Sequence, residues 1–173
     1  MIETEKTAGF KRGRRLEKVG LKAQDTAELF FDDARVPVEN LLGGVEGRGF
    51  YQLMEQLAKE RINIAMQALA LTEAALAETI AYVKQREVFG KRLLDFQNTR
   101  FTLADLKARL QVGWAHLDWA IQRHVAGKLT PAEASAAKLW HSEMQWDACD
   151  TALQLHGGAG YMNDYPIARL WRD

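Results

Sequence analysis

Three short stretches of this sequence hold residue types that can do chemistry, and each has an ordinary structural reading beside it. In the first, Glu60 and Arg61 stand together at the start of an apolar pattern. Ile62, Ala65, Met66, Leu69, Leu76, Ile80 and Val83 recur there at three- and four-residue steps. Glu60 is one residue from the first apolar position, at the rim of the buried stripe; the ordinary reading is a solvated helix charge. In the second, Arg86-Glu87-Val88-Phe89-Gly90-Lys91 puts two cations and an aromatic around a helix end. Arg86 and Lys91 could hold a phosphate while Phe89 offers its face to a base ring. Structurally, basic residues at a helix C-terminus simply oppose its dipole. In the third, Gln154-Leu155-His156-Gly157-Gly158-Ala159-Gly160-Tyr161 is a glycine-rich turn after a helix. It has no following Lys-Ser or Lys-Thr and does not open a helix after a strand, so neither common nucleotide-binding fingerprint applies. His156 by itself suits a packed core histidine, and Cys149 a small buried hydrophobe.

The elements that must position these residues are mostly helical. A first helix is expected from Phe50 to about Arg86, with Gly90 as its C-cap, and a second from about Asp95 to Ala126. Leu103, Leu106, Leu110, Leu117 and Ile121 form the inward face of the second, and Gly127 follows it. A third begins at Thr130-Pro131-Ala132-Glu133, a capping box with proline in the first turn. Its inward residues are expected to be Leu139, Trp140, Met144 and Leu153. Trp114, Trp119, Trp140, Trp146 and Trp171 fall at helical positions as core or interface anchors. Residues 1–45 differ. The basic run 11–15 suits a solvated loop or strand edge, and Thr26-Ala27-Glu28-Leu29-Phe30-Phe31 is β-prone before Val36-Pro37. Two or three strands are expected here, too few to stand alone, so they belong to a larger sheet. Short connections between three long helices predict an antiparallel bundle. Its fourth helix would come from another chain or from sequence beyond these residues.

Composition narrows the function. The 173 residues are 47% hydrophobic, enough for a sizeable core. With 23 basic and 23 acidic residues there is no net field favouring nucleic acid or an anionic membrane. No run of 18 apolar residues predicts a membrane span, and the first residues lack a signal-peptide layout. One cysteine rules out an internal disulfide and suits a reducing compartment, and four scattered histidines give no metal-site spacing.

Over essentially its whole length the chain resembles the acyl-CoA dehydrogenase family. The run 20–31, followed by Val36-Pro37 and Asn40-Leu41-Leu42-Gly43, resembles the end of that family's middle β-domain. Gln85 to Lys91 with Phe96-Gln97 resembles its first FAD-gripping signature. Gln154 to Tyr161 with Tyr165-Pro166 resembles its second. The implied fold is mainly α: an up-down helical bundle over residues 46–173, lacking its final helix, preceded at 1–45 by the last strands of a β-domain. The implied reaction removes hydrogens from the α and β carbons of an acyl-CoA, with FAD accepting hydride.

In most of the family the proton-abstracting carboxylate lies in the final segment. In the long-chain and isovaleryl branches it sits on the first bundle helix immediately before an arginine, and Glu60-Arg61 matches that arrangement. The run 22–31 and Gly49-Phe50-Tyr51 also look most like the long-chain branch; a medium- or short-chain type would carry Ser near Gln24 and no acid at position 60. The resemblance thus makes Glu60 the catalytic base and puts Tyr51 and Arg61 on the substrate. It puts Arg86 on the FAD pyrophosphate, Phe89 and Gln97 on the adenine side, and Gln154, Leu155, His156, Gly157 and Gly158 on the same cofactor from a neighbouring subunit. A shared flavin implies a homo-oligomer, a dimer or tetramer. Electron-transfer flavoprotein is the implied acceptor, and the setting cytoplasmic for a bacterial protein or the mitochondrial matrix for a eukaryotic one. The alternatives are an acyl-CoA oxidase-like or nitroalkane oxidase-like flavoenzyme on the same fold, or a non-catalytic oligomerisation module.

Overall fold

The computed structural model describes residues 2 and 6–173. The chain divides into two compact units, Met1–Glu55 and Gln56–Asp173, the division falling inside the first long helix.

In the first unit, β1 (Phe10–Arg15) pairs antiparallel with β2 (Ala27–Phe31), matching Phe10 with Phe31 and Arg12 with Leu29. The register shifts between Arg12 and Arg15. Gly13 lies in that irregularity, where a Cβ would come within 2.6 Å of the Phe30 ring. The basic run is therefore a strand, and the connecting loop is tied by the Arg15–Asp25 ion pair. Leu29, Phe30 and Phe31 all remain more than half exposed, so the ribbon buries little apolar surface of its own.

The second unit is built on α1 (Gly49–Gln85, its first residues belonging to the other unit), α2 (Gln97–Val125) and α3 (Pro131–His156). Ile62, Ala65, Leu69, Leu76 and Val83 of α1 join Leu103, Leu106, Leu110 and Leu117 of α2 and Ala137, Met144 and Ala148 of α3 in one core. A short α4 (Pro166–Arg172) packs Ile167 against Ala75, Cys149 and Ala152. The capping box forms as expected: the Glu133 N–H donates to Thr130 Oγ1 at 3.2 Å, and Thr130 N–H donates to Glu133 Oε2 at 2.8 Å.

Several expectations are corrected. Met66, Ile121, Leu139 and Trp140 are exposed where an inward face was expected; Trp119 and Trp146 are exposed too, so neither anchors the core of this chain. Their places in the interface are taken by small or polar residues: Ala68, Thr72 and Thr79 on α1, Ala120 on α2, Ala134, Ala137 and His141 on α3. Small side chains allow backbones to approach, and Thr72 and Thr79 satisfy their hydroxyls on the carbonyls of Ala68 and Ala75. Gly90 does not cap α1, which stops at Gln85; it belongs to a tight hairpin. And α1 is, by length and composition, apolar enough to cross a bilayer, contrary to the expectation of no such segment. Its buried stripe packs inside the bundle.

The bundle's middle is knit by His141. Its Nε2 lies 3.0 Å from the Gly113 carbonyl of α2 and its Nδ1 2.5 Å from the Ala137 carbonyl of its own helix. His116 stacks on it at 5.1 Å. Gly113 makes room, because a Cβ there would sit 2.6 Å from Leu69 Cδ2 and 3.1 Å from Trp140 Cζ3.

Candidate functional site

At the far end of α1 the chain turns sharply. β3 (Glu87–Val88) pairs with β4 (Lys91–Arg92) across Phe89 and Gly90, whose φ values of 53° and 77° are those of a two-residue hairpin turn. Gly90 takes that conformation freely, whereas Phe89 takes it at a cost, and its ring is 96% exposed. Leu93 N–H donates to the Arg86 carbonyl at 2.7 Å, closing the hairpin onto the helix end. Two neighbouring cations are engaged elsewhere: Arg92 with Asp95 at 3.0 Å, and Lys91 over the Phe96 ring at 4.1 Å. Arg86 lies in neither contact and lines a cleft instead.

The end of α3 meets the hairpin at that cleft. Its volume is about 470 Å³, with Arg86, Val88 and Phe89 on one side, residues 154–159 on the other, and Tyr82 and Tyr165 completing the wall. Gly157 ends α3 with φ 58° and ψ −138°, a conformation that side chains avoid. A Cβ at Gly157 or Gly158 would meet nothing within 4 Å, so the bare backbone opens onto free space. His156 is buried, its Nδ1 2.7 Å from the Ala152 carbonyl and its ring stacked on Tyr82.

One guanidinium, one exposed aromatic and a stretch of bare glycine backbone thus border one cleft. Those groups suit a ligand with phosphate oxygens and a flat ring: guanidinium pairs with phosphate in two-pronged geometry, and glycine lets the backbone approach closely. The donor set fits a dinucleotide such as FAD. Of the residues singled out in the sequence, Arg86, Phe89, Gln154, Leu155, His156, Gly157 and Gly158 come together here within one chain, which corrects the expectation that residues 154–158 meet the cofactor from a different subunit than Arg86 and Phe89. Gln97, the first residue of α2, does not line the cleft. Glu60 is exposed and Arg61 half-buried near the opposite end of α1. At 1.5 Å per residue Glu60 lies about 33 Å along the helix from Tyr82. Tyr51, in the first turn of α1, is exposed with the Arg48 guanidinium 4.6 Å above its ring. Sequence reasoning missed Tyr82 and gave Tyr165 only a place in the second signature, with no contact of its own; only the aromatic character of Tyr82 near the helix end could have marked it.

The model of the acyl-CoA dehydrogenase C-terminal domain matches residues 47–173. The chain is 49% identical over 165 residues to the long-chain specific acyl-CoA dehydrogenase, mitochondrial, of Sus scrofa, covering 95% of this chain and 38% of that protein. It is 41% identical over 167 residues to the short-chain specific acyl-CoA dehydrogenase of Megasphaera elsdenii, covering 96% and 43%. The crystal structure of acyl-CoA dehydrogenase from Geobacillus kaustophilus superposes with a TM-score of 0.92 at 51% identity, covering 96% of this chain and 44% of that one. This chain belongs to the acyl-CoA dehydrogenase family. It spans about two-fifths of the length of the curated relatives it matches.

Proposed function

We propose that these residues form the C-terminal part of an FAD-dependent dehydrogenase that converts an acyl-CoA, of long chain, to the trans-2-enoyl-CoA. The single observation that carries the flavin reading is the cleft itself, in which two signatures about 70 residues apart close on one another. Bound FAD supplies the hydride acceptor for the β-hydrogen. Arg86 holds phosphate oxygens there, the Gly157-Gly158 backbone lets them approach, and Phe89 offers a ring face from the hairpin tip.

Glu60 takes the α-proton. It is a carboxylate at the edge of the stripe that begins with Ile62, and general-base work on a C–H needs that edge enclosed by apolar surface. Arg61 balances the local charge or holds a substrate group, and Tyr51 is a substrate contact in the complete protein. Gln97 serves the adenine side. About 33 Å of helix between Glu60 and the cleft is more than a dinucleotide spans, so base and cleft of one chain serve different flavins. Each cofactor would then be shared by two copies, which supports a dimer or tetramer. Residues 1–45 are the end of the middle β-domain, a reading supported by the exposed apolar residues of β2. Electron-transfer flavoprotein is the proposed acceptor. Higher identity to a long-chain than to a short-chain relative, 49% against 41%, supports the chain-length preference.

The test is Glu60→Gln in the complete enzyme. Acyl-CoA should still bind, but bleaching of the flavin by substrate should slow by about 10²- to 10⁴-fold, the usual worth of a positioned base. Bleaching at the normal rate would place the base elsewhere.

A further inference from the structure

The back wall of the cleft is made by a residue that belongs to neither flavin signature. Tyr82 lies one turn before Arg86, whose N–H donates to the Tyr82 carbonyl at 2.9 Å. Its hydroxyl donates to the His156 carbonyl at 3.2 Å, a bond between residues 74 apart in sequence. Its ring stacks on the His156 imidazole at 4.2 Å with 24° between the planes. Tyr165 completes the cluster, edge-on to Tyr82 at 5.9 Å and to His156 at 6.4 Å. From the other side His156 Nδ1 faces the Ala152 carbonyl at 2.7 Å; a carbonyl only accepts, so Nδ1 carries the proton of that bond.

The peptide after His156 leads into two glycines, neither with a side chain to pack, and the first has φ 58°. That backbone is held locally by the Gly157 N–H on the Gln154 carbonyl and by the 3-10 turn the glycines open, but no glycine side chain ties it to α1. The oxygen of the His156 peptide stands at the junction of α3 with the short 3-10 turn Gly157–Tyr161, of which His156 is the N-cap, so a side chain bound to it ties that junction to the wall of the cleft. Tyr82 binds it. The same side chain stands on the turn that places Arg86, so one residue couples the cationic side of the cleft to the glycine side.

We propose that Tyr82 is a positioning residue for the phosphate-bearing cofactor, holding the His156-Gly157-Gly158 backbone in register with Arg86. The proposal rests on the flavin reading of the cleft and adds a residue to it. Its two parts separate: the ring packs against His156, while the hydroxyl fixes the carbonyl. Tyr82→Phe keeps the first and removes the second, and Tyr82→Leu removes both.

The experiment uses the complete protein stripped of flavin. FAD and ADP affinities are measured by fluorescence titration and calorimetry for wild type, Tyr82→Phe and Tyr82→Leu, beside the thermal midpoint of each apoprotein. Loss of one hydrogen bond that orients the site should weaken FAD and ADP by about tenfold in Tyr82→Phe, with an apoprotein midpoint like that of wild type. Tyr82→Leu should bind more weakly than Tyr82→Phe. Wild-type affinity in Tyr82→Phe overturns the proposal, as does a fall in apoprotein midpoint that accounts for the lost binding. If wild type itself fails to take up FAD or ADP, the cofactor reading beneath the proposal fails instead.

Discussion

Two buried histidines sit on the same face of α3, and they do opposite things. His141, in the middle of the bundle, has a backbone carbonyl opposite each ring nitrogen and aromatic neighbours on both sides. His156, four turns later, has a carbonyl at Nδ1 only, and it borders a cleft of about 470 Å³. The first imidazole is used up in joining α2 to α3. The second is held by Tyr82 and leaves an open space beside it. Burial and stacking are alike in the two places, so neither decides function; the partner of the second nitrogen and the adjoining glycines do.

The largest expected effect comes from removing the first. His141→Ala leaves a hole beside Leu69, Gly113 and Trp140 and deletes the bond to α2, and should cost about 2–4 kcal/mol of stability. Denaturant unfolding would read that loss, while FAD affinity of the folded fraction should match wild type. A variant of normal stability with weakened FAD would reverse the roles assigned to the two histidines. Gly113→Ala probes the same place by adding volume instead of removing it. The new methyl lands 2.6 Å from Leu69 Cδ2, an overpacking cost of about 1–3 kcal/mol. Alanine's better helix propensity offsets about 1 kcal/mol of it. A net loss of about 1 kcal/mol is expected; a gain would mean that the helices separate easily at this level.

The contrast was unevenly legible in the sequence. Thr130-Pro131-Glu133 marked the start of α3 because a capping box is local: every partner lies within three residues. Helix extents were close for the same reason. The inward faces were harder, since Leu139, Met66 and Ile121 ended outside while Ala137, Thr79 and His141 went inside. Close helix packing selects small side chains, which hydrophobic periodicity does not register. Gly90 looked like a helix cap because the hairpin that uses it depends on pairing Val88 with Lys91, which single-residue signals do not show. The two flavin signatures were recognisable as motifs, but their meeting in one cleft, and Tyr82's hold on the His156 carbonyl, are contacts across about 70 residues.

A smaller effect is expected at the other end of α3, away from both histidines. Thr130→Ala removes the hydroxyl that accepts the Glu133 N–H and should cost about 1 kcal/mol. FAD affinity should stay unchanged, since the change frays the first turn rather than the last. The Thr130 backbone bond also holds the Glu133 carboxyl below its ordinary range, with the Thr130 hydroxyl and Arg123 adding to it. That contribution is present above the carboxyl's unfolded value and is lost as pH falls through the folded one. Acid melting of Glu133→Gln should therefore show a shallower dependence below the ordinary carboxyl value of 4.5 than wild type does, and Thr130→Ala, which keeps the backbone donor and loses only the hydroxyl, should fall between the two.

The smallest effect concerns the histidine stacked on His141. Partial burial, and then the neighbouring His141, hold the His116 imidazole below its ordinary 6.5. Trp119 covers another side, with Arg123 5.3 Å from that indole, so a further positive charge stands near the stack. The unfolded chain then takes up a proton at His116 before the folded one does. Stability consequently falls as the solution is acidified below 6.5, and the loss stops growing once the folded imidazole is itself protonated. His116 is half-buried, so solvent screens much of this. His116→Phe keeps a flat ring against His141 and removes the titration. Its melting temperature should change less than wild type's across the neutral-to-mildly-acidic range, and equal slopes would remove His116 as the source. FAD affinity should follow neither curve, because the stack belongs to the middle of the bundle and the cleft to its end.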